Sequence, residues 1–153
     1  MNSLKRKYKS VSITQKIDII DPKIDKRWDE FVSNHPAGTI YHHSSWGKVL
    51  AATYGYKPVY VIAENRETLN IEGLVPFMLV ESKLTGTRLV SLPFTSFCPY
   101  LCDSEQLEKI TSFVLTEYPH IDYLELRTLQ TYENNLAMFE KRTDYVTHFL
   151  DLT

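Results

Sequence analysis

The stretch Leu69-Asn-Ile-Glu-Gly-Leu-Val-Pro-Phe-Met-Leu-Val80 decides the fold of this 153-residue chain. From Leu74 onward every residue in it is apolar, so both faces of an extended segment would be hydrophobic. A strand with two apolar faces is typical of the interior of a sheet that is covered on both sides. The sequence therefore predicts that Leu69 to Val80 is a central strand.

Strand-like segments lie on both sides of this stretch, Pro58 to Ala63 before it and Arg88 to Leu92 after it. Two polar turn sequences separate the three segments, Glu64 to Glu67 and Lys83 to Gly86. Strands that are joined by such short turns pair antiparallel. We therefore expect the flanking segments to be the two neighbours of the central strand.

Two helices are predicted between a first strand, Val11 to Ile20, and this set of strands. The first helix begins at Asp21-Pro22, where an acidic cap precedes a proline. It ends before Pro36, because the residue preceding a proline is disfavoured in a helix. The second helix begins at Ser44 or Ser45, either of which can cap it.

The apolar faces of these helices follow from a helical spacing of hydrophobic residues. Between the helices Thr39 to Tyr41 is expected to be extended, and the second helix ends at Gly55, a natural left-handed stop. The predicted apolar faces are Ile24, Trp28, Phe31 and Val32 in the first helix and Trp46, Val49, Leu50 and Tyr54 in the second.

The last third of the chain predicts a helix, a strand, a short helix and a final strand. Asp103-x-x-Gln106 is a variant of the capping box that opens the helix, and Pro119 ends it. The apolar face of this helix is Leu107, Ile110, Val114 and Tyr118, and the later elements are Ile121 to Arg127, Tyr132 to Phe139 and Tyr145 to Leu152. This order predicts an α+β (α/β) fold, a single domain with a central mixed sheet flanked by helices.

Composition indicates a soluble globular domain. Hydrophobic residues make up 43% of the chain and charged residues 24%, and the formal net charge is −2, so no general attraction to DNA is expected. No apolar run approaches the roughly 20 residues that span a bilayer. Residues 1–10 form a basic tail with no apolar run after it, so it is not a secretory signal. This tail is predicted to be solvated and flexible, with contact to an anionic membrane surface as the alternative.

The two cysteines, Cys98 and Cys102, do not form a disulfide framework, which fits a reducing cytosol. Their Cys-x-x-x-Cys spacing would need further ligands to bind zinc, and His42 or His43 are the candidates. Two ordinary thiols in a loop are favoured over a metal site, so no metal is expected.

Four motifs occur in a fixed order along the chain. They are Trp28-x-x-Phe31, Asn34-His35-Pro36, the stretch Gly38 to Gly55 around Trp46, and Ser91-Leu92-Pro93-Phe94. Together they resemble the N-terminal half of FemAB-type transferases, a branch of the GNAT-like acyltransferase superfamily. The resemblance covers most of the chain from the first motif to the last.

The resemblance implies a GNAT-like acyl-CoA N-acyltransferase fold for residues 11–153, as the first half of a two-domain enzyme. FemAB-type proteins transfer an aminoacyl or related acyl group onto an amine of a cell-wall (peptidoglycan) precursor, with aminoacyl-tRNA as a donor. Their first domain helps form the acceptor cleft, and the donor channel depends on the second domain. The resemblance thus implies a cytoplasmic protein, at the inner face of the membrane, that is inactive as this chain alone and holds no cofactor.

An acetyl-CoA-dependent member of the superfamily holds the pyrophosphate with a glycine-rich loop between its fourth strand and the next helix. The corresponding stretch here, Leu92 to Cys102, contains no glycine, and Pro93 and Pro99 remove two N–H donors. A CoA site in this position is therefore not expected. Two alternatives stay open: a free-standing CoA-dependent N-acetyltransferase, and a non-catalytic binding domain of the same fold.

An acceptor cleft is predicted where the loop Tyr41 to Ser45 and the start of the next helix meet the turn Pro93 to Ser96. Both segments carry motifs of the resemblance, and both lie at the ends of elements, where binding residues collect. The candidate substrate-binding residues are Tyr41, His42, His43, Trp46, Lys48, Pro93, Phe94 and Ser96, of which Lys48 would supply positive charge. The catalytic residues are unknown, and Glu125 and Arg127 are expected to form a structural ion pair.

Overall fold

The computed structural model describes residues 14–95, 97–128 and 139–142. In chain order its elements are β1 (Gln15–Ile20), α1 (Arg27–Asn34), α2 (Ser44–Tyr54), β2 (Lys57–Asn65), β3 (Ile71–Ser82), β4 (Gly86–Val90), α3 (Ser104–Glu117) and β5 (Tyr123–Glu125). This order confirms the predicted α+β arrangement as far as β5. Within the described ranges, none of the helices has the length and apolar character needed to cross a membrane.

The strands form one mixed sheet in the order β1-β2-β3-β4-β5. The first three pairings are antiparallel, and β4 pairs with β5 in parallel. β3 pairs with β2 on one side, where Val75 lies opposite Val61, and with β4 on the other, where Leu79 lies opposite Leu89. The prediction that the stretch ending at Val80 is an interior strand is therefore confirmed.

Helices cover both faces of the sheet, which explains why β3 is apolar throughout. Phe77 packs in a core cluster with Leu107 of α3 on one face. The next residue, Met78, points to the other face and packs with Leu50 of α2. α1 covers that second face through Trp28, which is fully buried. Burial of each such side chain contributes roughly 1.5–3 kcal/mol.

Helix α1 begins later than the sequence indicated, so the assignment of Asp21-Pro22 as its start is wrong. The chain first forms a separate turn, in which Ile24 N–H donates to Asp21 O at 2.9 Å. The helix then begins at Arg27. Ile24 projects from the turn and is 85% exposed, so it does not belong to the apolar face that carries Trp28.

Helix α2 turns a face to the sheet that matches the predicted one only in part. Its buried residues are Ser44, Gly47 and Leu50. Val49 and Tyr54, which were expected in the core, are 52% and 49% exposed. Gly47 allows a close approach to the sheet, because a Cβ there would lie 2.1 Å from the Tyr60 hydroxyl. The contact is therefore made by small residues together with Leu50, while Val49 and Tyr54 point outward.

The boundaries of α2 are partly as predicted. Gly55 has a φ of 70°, which confirms the left-handed stop. The N-cap is His43 rather than either serine, because its ring Nδ1 accepts a backbone N–H of the first turn at 3.2 Å. Residues 39–41 were expected to be extended and instead form a turn, in which His42 N–H donates to Thr39 O at 3.0 Å.

Helix α3 begins with the predicted capping box. The Asp103 side chain accepts the Gln106 N–H at 2.8 Å, and the Gln106 side chain accepts the Asp103 N–H at 3.0 Å. The helix ends at Glu117, before Pro119. β5 is shorter than the predicted strand. Apart from Phe139, the predicted helix and strand after residue 128 lie outside the described residues, as does the basic tail.

Candidate functional site

The segment between β4 and α3, called here the segment after β4, packs into the protein and is buried from Cys98 to Leu101. Cys98 N–H donates to Arg127 O at 2.9 Å, and Leu101 exchanges two backbone hydrogen bonds with Leu74 of β3, at 2.9 and 3.0 Å. Cys98, Tyr100 and Leu101 are at most 4% exposed. Two backbone donors of this segment are thus committed to its neighbours, and its side chains fill the core.

Pro76 lies in the middle of β3, between the part of the strand that pairs with β4 and the part that bonds to Leu101. Alternate residues of a strand direct their backbone groups to the same neighbour. On that side Leu74 bonds to Leu101, and Met78 lies opposite Val90. Pro76 lies between these two pairings, so its missing N–H leaves no ladder hydrogen bond unmade in the described sheet.

The N-terminus of α3 is closed by the protein's own residues. The Asp103 carboxylate that accepts the Gln106 N–H places a negative charge at the positive end of the helix dipole. Gly73 of β3 permits this packing, since a Cβ there would lie 2.6 Å from both Cys102 Cβ and Gln106 Oε1. A pyrophosphate at this position would meet a carboxylate instead of free N–H groups, so the position is unsuited to it.

His42 fastens the loop before α2 to the segment after β4. Its ring is fully buried, Nε2–H donates to Pro99 O at 2.6 Å, and Nδ1 accepts the Thr39 N–H at 3.1 Å. A carbonyl only accepts and a backbone N–H only donates, so the ring is neutral with its proton on Nε2. Burial lowers the pKa of His42, against a weaker opposing effect of the Pro99 carbonyl. Both ring nitrogens are occupied, so this residue holds the loop in place.

Tyr41 and Trp46 lie together over the segment after β4. Their rings meet edge to face with 5.3 Å between centroids, and both pack against the core cluster that contains Leu92 and Cys98. The indole N–H of Trp46 is buried and has no hydrogen-bond partner among the described residues. The start of α2 and the turn after β4 are therefore in contact through these aromatic side chains.

The other predicted site residues differ in their exposure. Lys48 is exposed on α2, His43 is half-buried and Pro93 is buried. Ser96 lies outside the described residues. Of the predicted set, Lys48 and Phe94 are thus the side chains that the fold presents most openly to solvent.

Phe94 meets the end of α2 rather than its start. Its ring stacks on Tyr54 with 4.4 Å between centroids and 22° between planes. Tyr56 lies nearly parallel to both, 5.5 Å from Tyr54 and 6.4 Å from Phe94. Sequence reasoning assigned Tyr54 to the core and overlooked Tyr56. The sequence Tyr54-Gly55-Tyr56 could have indicated this pair, because two aromatic residues flank the glycine that ends the helix.

The turn that carries Phe94 is strained and firmly anchored. Leu92 and Phe94 have φ values of 55° and 62°, a left-handed conformation that costs a side-chain-bearing residue about 1–2 kcal/mol. From inside, the Thr95 hydroxyl donates to Leu92 O at 2.9 Å. Arg127 N–H donates to the Ser91 hydroxyl at 2.7 Å. These bonds hold Leu92 in the core and turn Phe94 outward.

The ionisable groups nearby do not form a metal centre or a reactive thiol. Burial raises the pKa of Cys98 and of Cys102 to about 12, so both thiols stay protonated. No group of three His, Cys, Asp or Glu side chains in the described ranges could hold a metal ion. Arg127 and Glu125 form an ion pair at 2.6 Å, as expected for a structural pair.

Two open depressions lie beside α1. One, of about 470 Å³, is lined by residues that include Arg27, His35 and Asn70. The other, of about 280 Å³, reaches Thr39 and His43. Only the smaller of these two touches the predicted site residues.

Solved acetyltransferase structures share this architecture. The crystal structure of glucosamine-6-phosphate N-acetyltransferase from Arabidopsis thaliana matches with a TM-score of 0.58 and 15% identity, over 90% of this chain and 99% of that chain. A GNAT family acetyltransferase from Staphylococcus aureus subsp. aureus USA300_TCH1516 matches with a TM-score of 0.50 and 9% identity, over 90% and 100%. The fold is that of the GNAT acetyltransferases. No family model and no curated protein matches the chain.

This likeness confirms the predicted GNAT-like fold, and at such low identities it shows the fold alone. In a GNAT-like domain the loop between the fourth strand and the next helix is the expected place of a CoA pyrophosphate. Here that loop is the buried segment that includes Cys98 and Leu101, followed by the capped start of α3 at Asp103.

Proposed function

We propose that this chain is the acceptor-binding N-terminal half of a FemAB-related transferase, which moves an aminoacyl or acyl group onto an amine of a cell-envelope precursor. The observation that carries the proposal is the closed segment after β4. Its Cys98 and Leu101 N–H groups are bonded to the protein, and Asp103 caps the following helix. Because a CoA-dependent enzyme needs such donors free, the acyl donor would be a different activated group.

In this proposal the acceptor lies along α2 and the turn after β4. Lys48, which is exposed, supplies a positive charge for an anionic acceptor. Tyr41, Trp46 and Phe94 would supply apolar contacts, and His43 is the residue that caps the start of the helix. The donor, an aminoacyl-tRNA or a related acyl carrier, would be bound through a second domain. The reaction would take place in the cytoplasm, at the inner face of the membrane.

A CoA-dependent N-acetyltransferase is the second candidate function. It is favoured by the two acetyltransferase structures, which match this chain over 99% and 100% of their own length. The segment after β4 argues against this function, because its Cys98 and Leu101 N–H groups are already bonded within the protein and are not free for a CoA pyrophosphate. A non-catalytic binding domain is the remaining alternative and would share the acceptor site. It would transfer no acyl group even when the second domain is present, so acyl transfer by a two-domain form of the protein would distinguish the main proposal from it.

Titration calorimetry with a soluble peptidoglycan precursor, a nucleotide-linked muramyl peptide with a free amine, tests the proposal. We expect saturable binding to the 153-residue chain, weakened roughly tenfold by Lys48→Ala, since this is the scale of a lost charged contact of about 1.4 kcal/mol. The matched control is Lys83→Ala, at the turn on the opposite end of β4, which should leave binding unchanged. Absence of saturable binding, or equal effects of the two substitutions, would contradict the proposed acceptor site.

In a form of the protein that carries the second domain, Lys48→Ala should raise KM for the anionic acceptor more than it lowers kcat, because a binding contact is lost and no reacting group. An equal loss in kcat with KM unchanged would assign Lys48 to the chemical step instead.

A further inference from the structure

Three stacked aromatic rings lie at the end of α2, two of them exposed and one partly buried; Tyr54, Tyr56 and Phe94 together are called the aromatic platform. The angles between ring planes are 4° to 22°, so their flat faces are nearly parallel. Phe94 is 57% exposed and Tyr54 is 49% exposed, whereas Tyr56 is partly buried and packs against the core cluster that contains Leu92. Single exposed aromatic residues are ordinary on protein surfaces, but a stacked group of three is unusual.

The backbone holds Phe94 in this exposed position against its own preference. A φ of 62° is a genuine outlier for a bulky side chain. The strain does not serve to bury the ring, since more than half of the residue faces solvent, and the Thr95 and Leu92 contacts fix the turn from inside. Strained residues of this kind collect at binding sites, where surrounding structure keeps a side chain ready for a ligand.

The geometry of the platform narrows the ligand class. Parallel rings do not form the cage of angled aromatics that surrounds a quaternary ammonium ion. A nucleic-acid strand needs a basic groove beside its stacking rings. Next to the platform Lys57 is instead paired with Glu81 at 2.6 Å, and the chain carries a net charge of −2. A ligand that stacks here would therefore present a flat, uncharged, largely apolar face.

Hydrogen-bonding groups border that face. The phenol hydroxyls of Tyr54 and Tyr56 make no hydrogen bond with the described part of the chain, and each can both donate and accept. A sugar ring fits this combination, because its axial C–H groups form an apolar face while its hydroxyls extend from the rim. Aromatic rings with a polar tip suit such an amphipathic partner.

We propose that the aromatic platform is a stacking subsite for a pyranose sugar ring, in which the sugar stacks on the solvent-facing side of Phe94, Tyr54 packs against the other face of Phe94, and the tyrosine hydroxyls lie at the rim. The proposal deepens the proposed function, on which it rests for placing the sugar within an acceptor. The acceptor would then carry a saccharide next to its anionic group, at the end of α2 beyond Lys48. Sugar binding itself requires no second domain and no acyl donor.

The test uses the 153-residue chain and the β-1,4-linked dimer of N-acetylglucosamine as probe, followed by NMR of the aromatic side chains. We expect saturable shifts of the Tyr54, Tyr56 and Phe94 signals. Phe94→Ala should weaken binding roughly tenfold, as expected for loss of a stacking ring, and Phe94→Tyr should restore it. Leu84→Ala, at a 95% exposed position of the β3–β4 turn, is the matched control and should have no effect.

Sorbitol, an acyclic polyol with similar hydroxyls and no ring face, should give no saturable shifts. Shifts that do not saturate, equal binding of sorbitol, or unchanged binding by a folded Phe94→Ala variant would overturn the subsite. Lys48→Ala separates the two proposals, because it should weaken the nucleotide-linked precursor and leave the sugar dimer unaffected. If the sugar dimer binds and the nucleotide-linked precursor does not, the sugar subsite is supported and the acceptor function is contradicted. If the precursor binds and the dimer does not, only the sugar subsite is contradicted.

Discussion

At the scale of single residues, His42 shows how one side chain joins two distant parts of the chain. Its Nε2–H reaches Pro99, 57 positions away, and its backbone carbonyl accepts the Trp28 indole N–H at 2.8 Å. Nothing in the local sequence distinguishes His42 from His43 as the buried one, because that outcome depends on a partner far along the chain. The sequence could therefore propose the pair as candidates and could not assign their roles.

Replacement of His42 tests this role through its pH dependence. The folded-state pKa is lowered, mainly by burial, from an ordinary value of 6.5. The unfolded chain therefore binds more protons as the pH falls below 6.5, so the contribution of the neutral ring is complete above that pH and declines below it. His42→Gln should lower the free energy of unfolding by about 1–3 kcal/mol at pH 7. Urea denaturation should also show less loss of stability between pH 7 and pH 5 in the variant than in the wild type.

The matched control for this prediction is His120→Gln, at an exposed position. It should leave both the stability and its pH dependence close to the wild type. Parallel pH profiles for wild type and His42→Gln would show that His42 is not buried as a neutral ring.

At the scale of elements, the sequence predicted those features whose cause is local. The two-sided apolar pattern of β3, the stop at Gly55 and the capping box at Asp103 all depend on neighbouring residues. The buried face of α2 was predicted only in part, at Trp46 and Leu50, because it also depends on the fit of Gly47 against Tyr60 of β2. The pairing of the segment after β4 with β3 is likewise non-local, and Pro76 was the one local sign of it.

The capping box offers a test at this scale. Asp103→Ala removes the acceptor for the Gln106 N–H and the charge at the positive end of α3, and should destabilise the protein by about 1 kcal/mol. The control is Ser104→Ala, at the exposed first residue of the same helix, which should change stability by less than about 0.5 kcal/mol. Equal denaturation midpoints for the two variants would argue against a functioning cap.

At the scale of the whole molecule, a sheet buried on both faces supports a surface built mainly from α2 and the turn after β4. The acceptor site near α2 stays a prediction, whereas the fold could be predicted from the order of elements along the chain. The aromatic platform could not, because Tyr54 and Phe94 are 40 positions apart and meet only in the folded protein. The same folding buries the segment from Cys98 to Leu101, in the loop where a GNAT-like domain is expected to hold a CoA pyrophosphate.

Titration calorimetry of the chain with acetyl-CoA is the most direct test of whether the segment after β4 excludes CoA. We expect no saturable heat for the wild type, and none for Asp103→Ala, because the buried segment from Cys98 to Leu101 still occupies the position. Saturable micromolar binding that is lost on mutation of residues 93–102 would contradict the account and make a CoA-dependent acetyltransferase the better description of this protein.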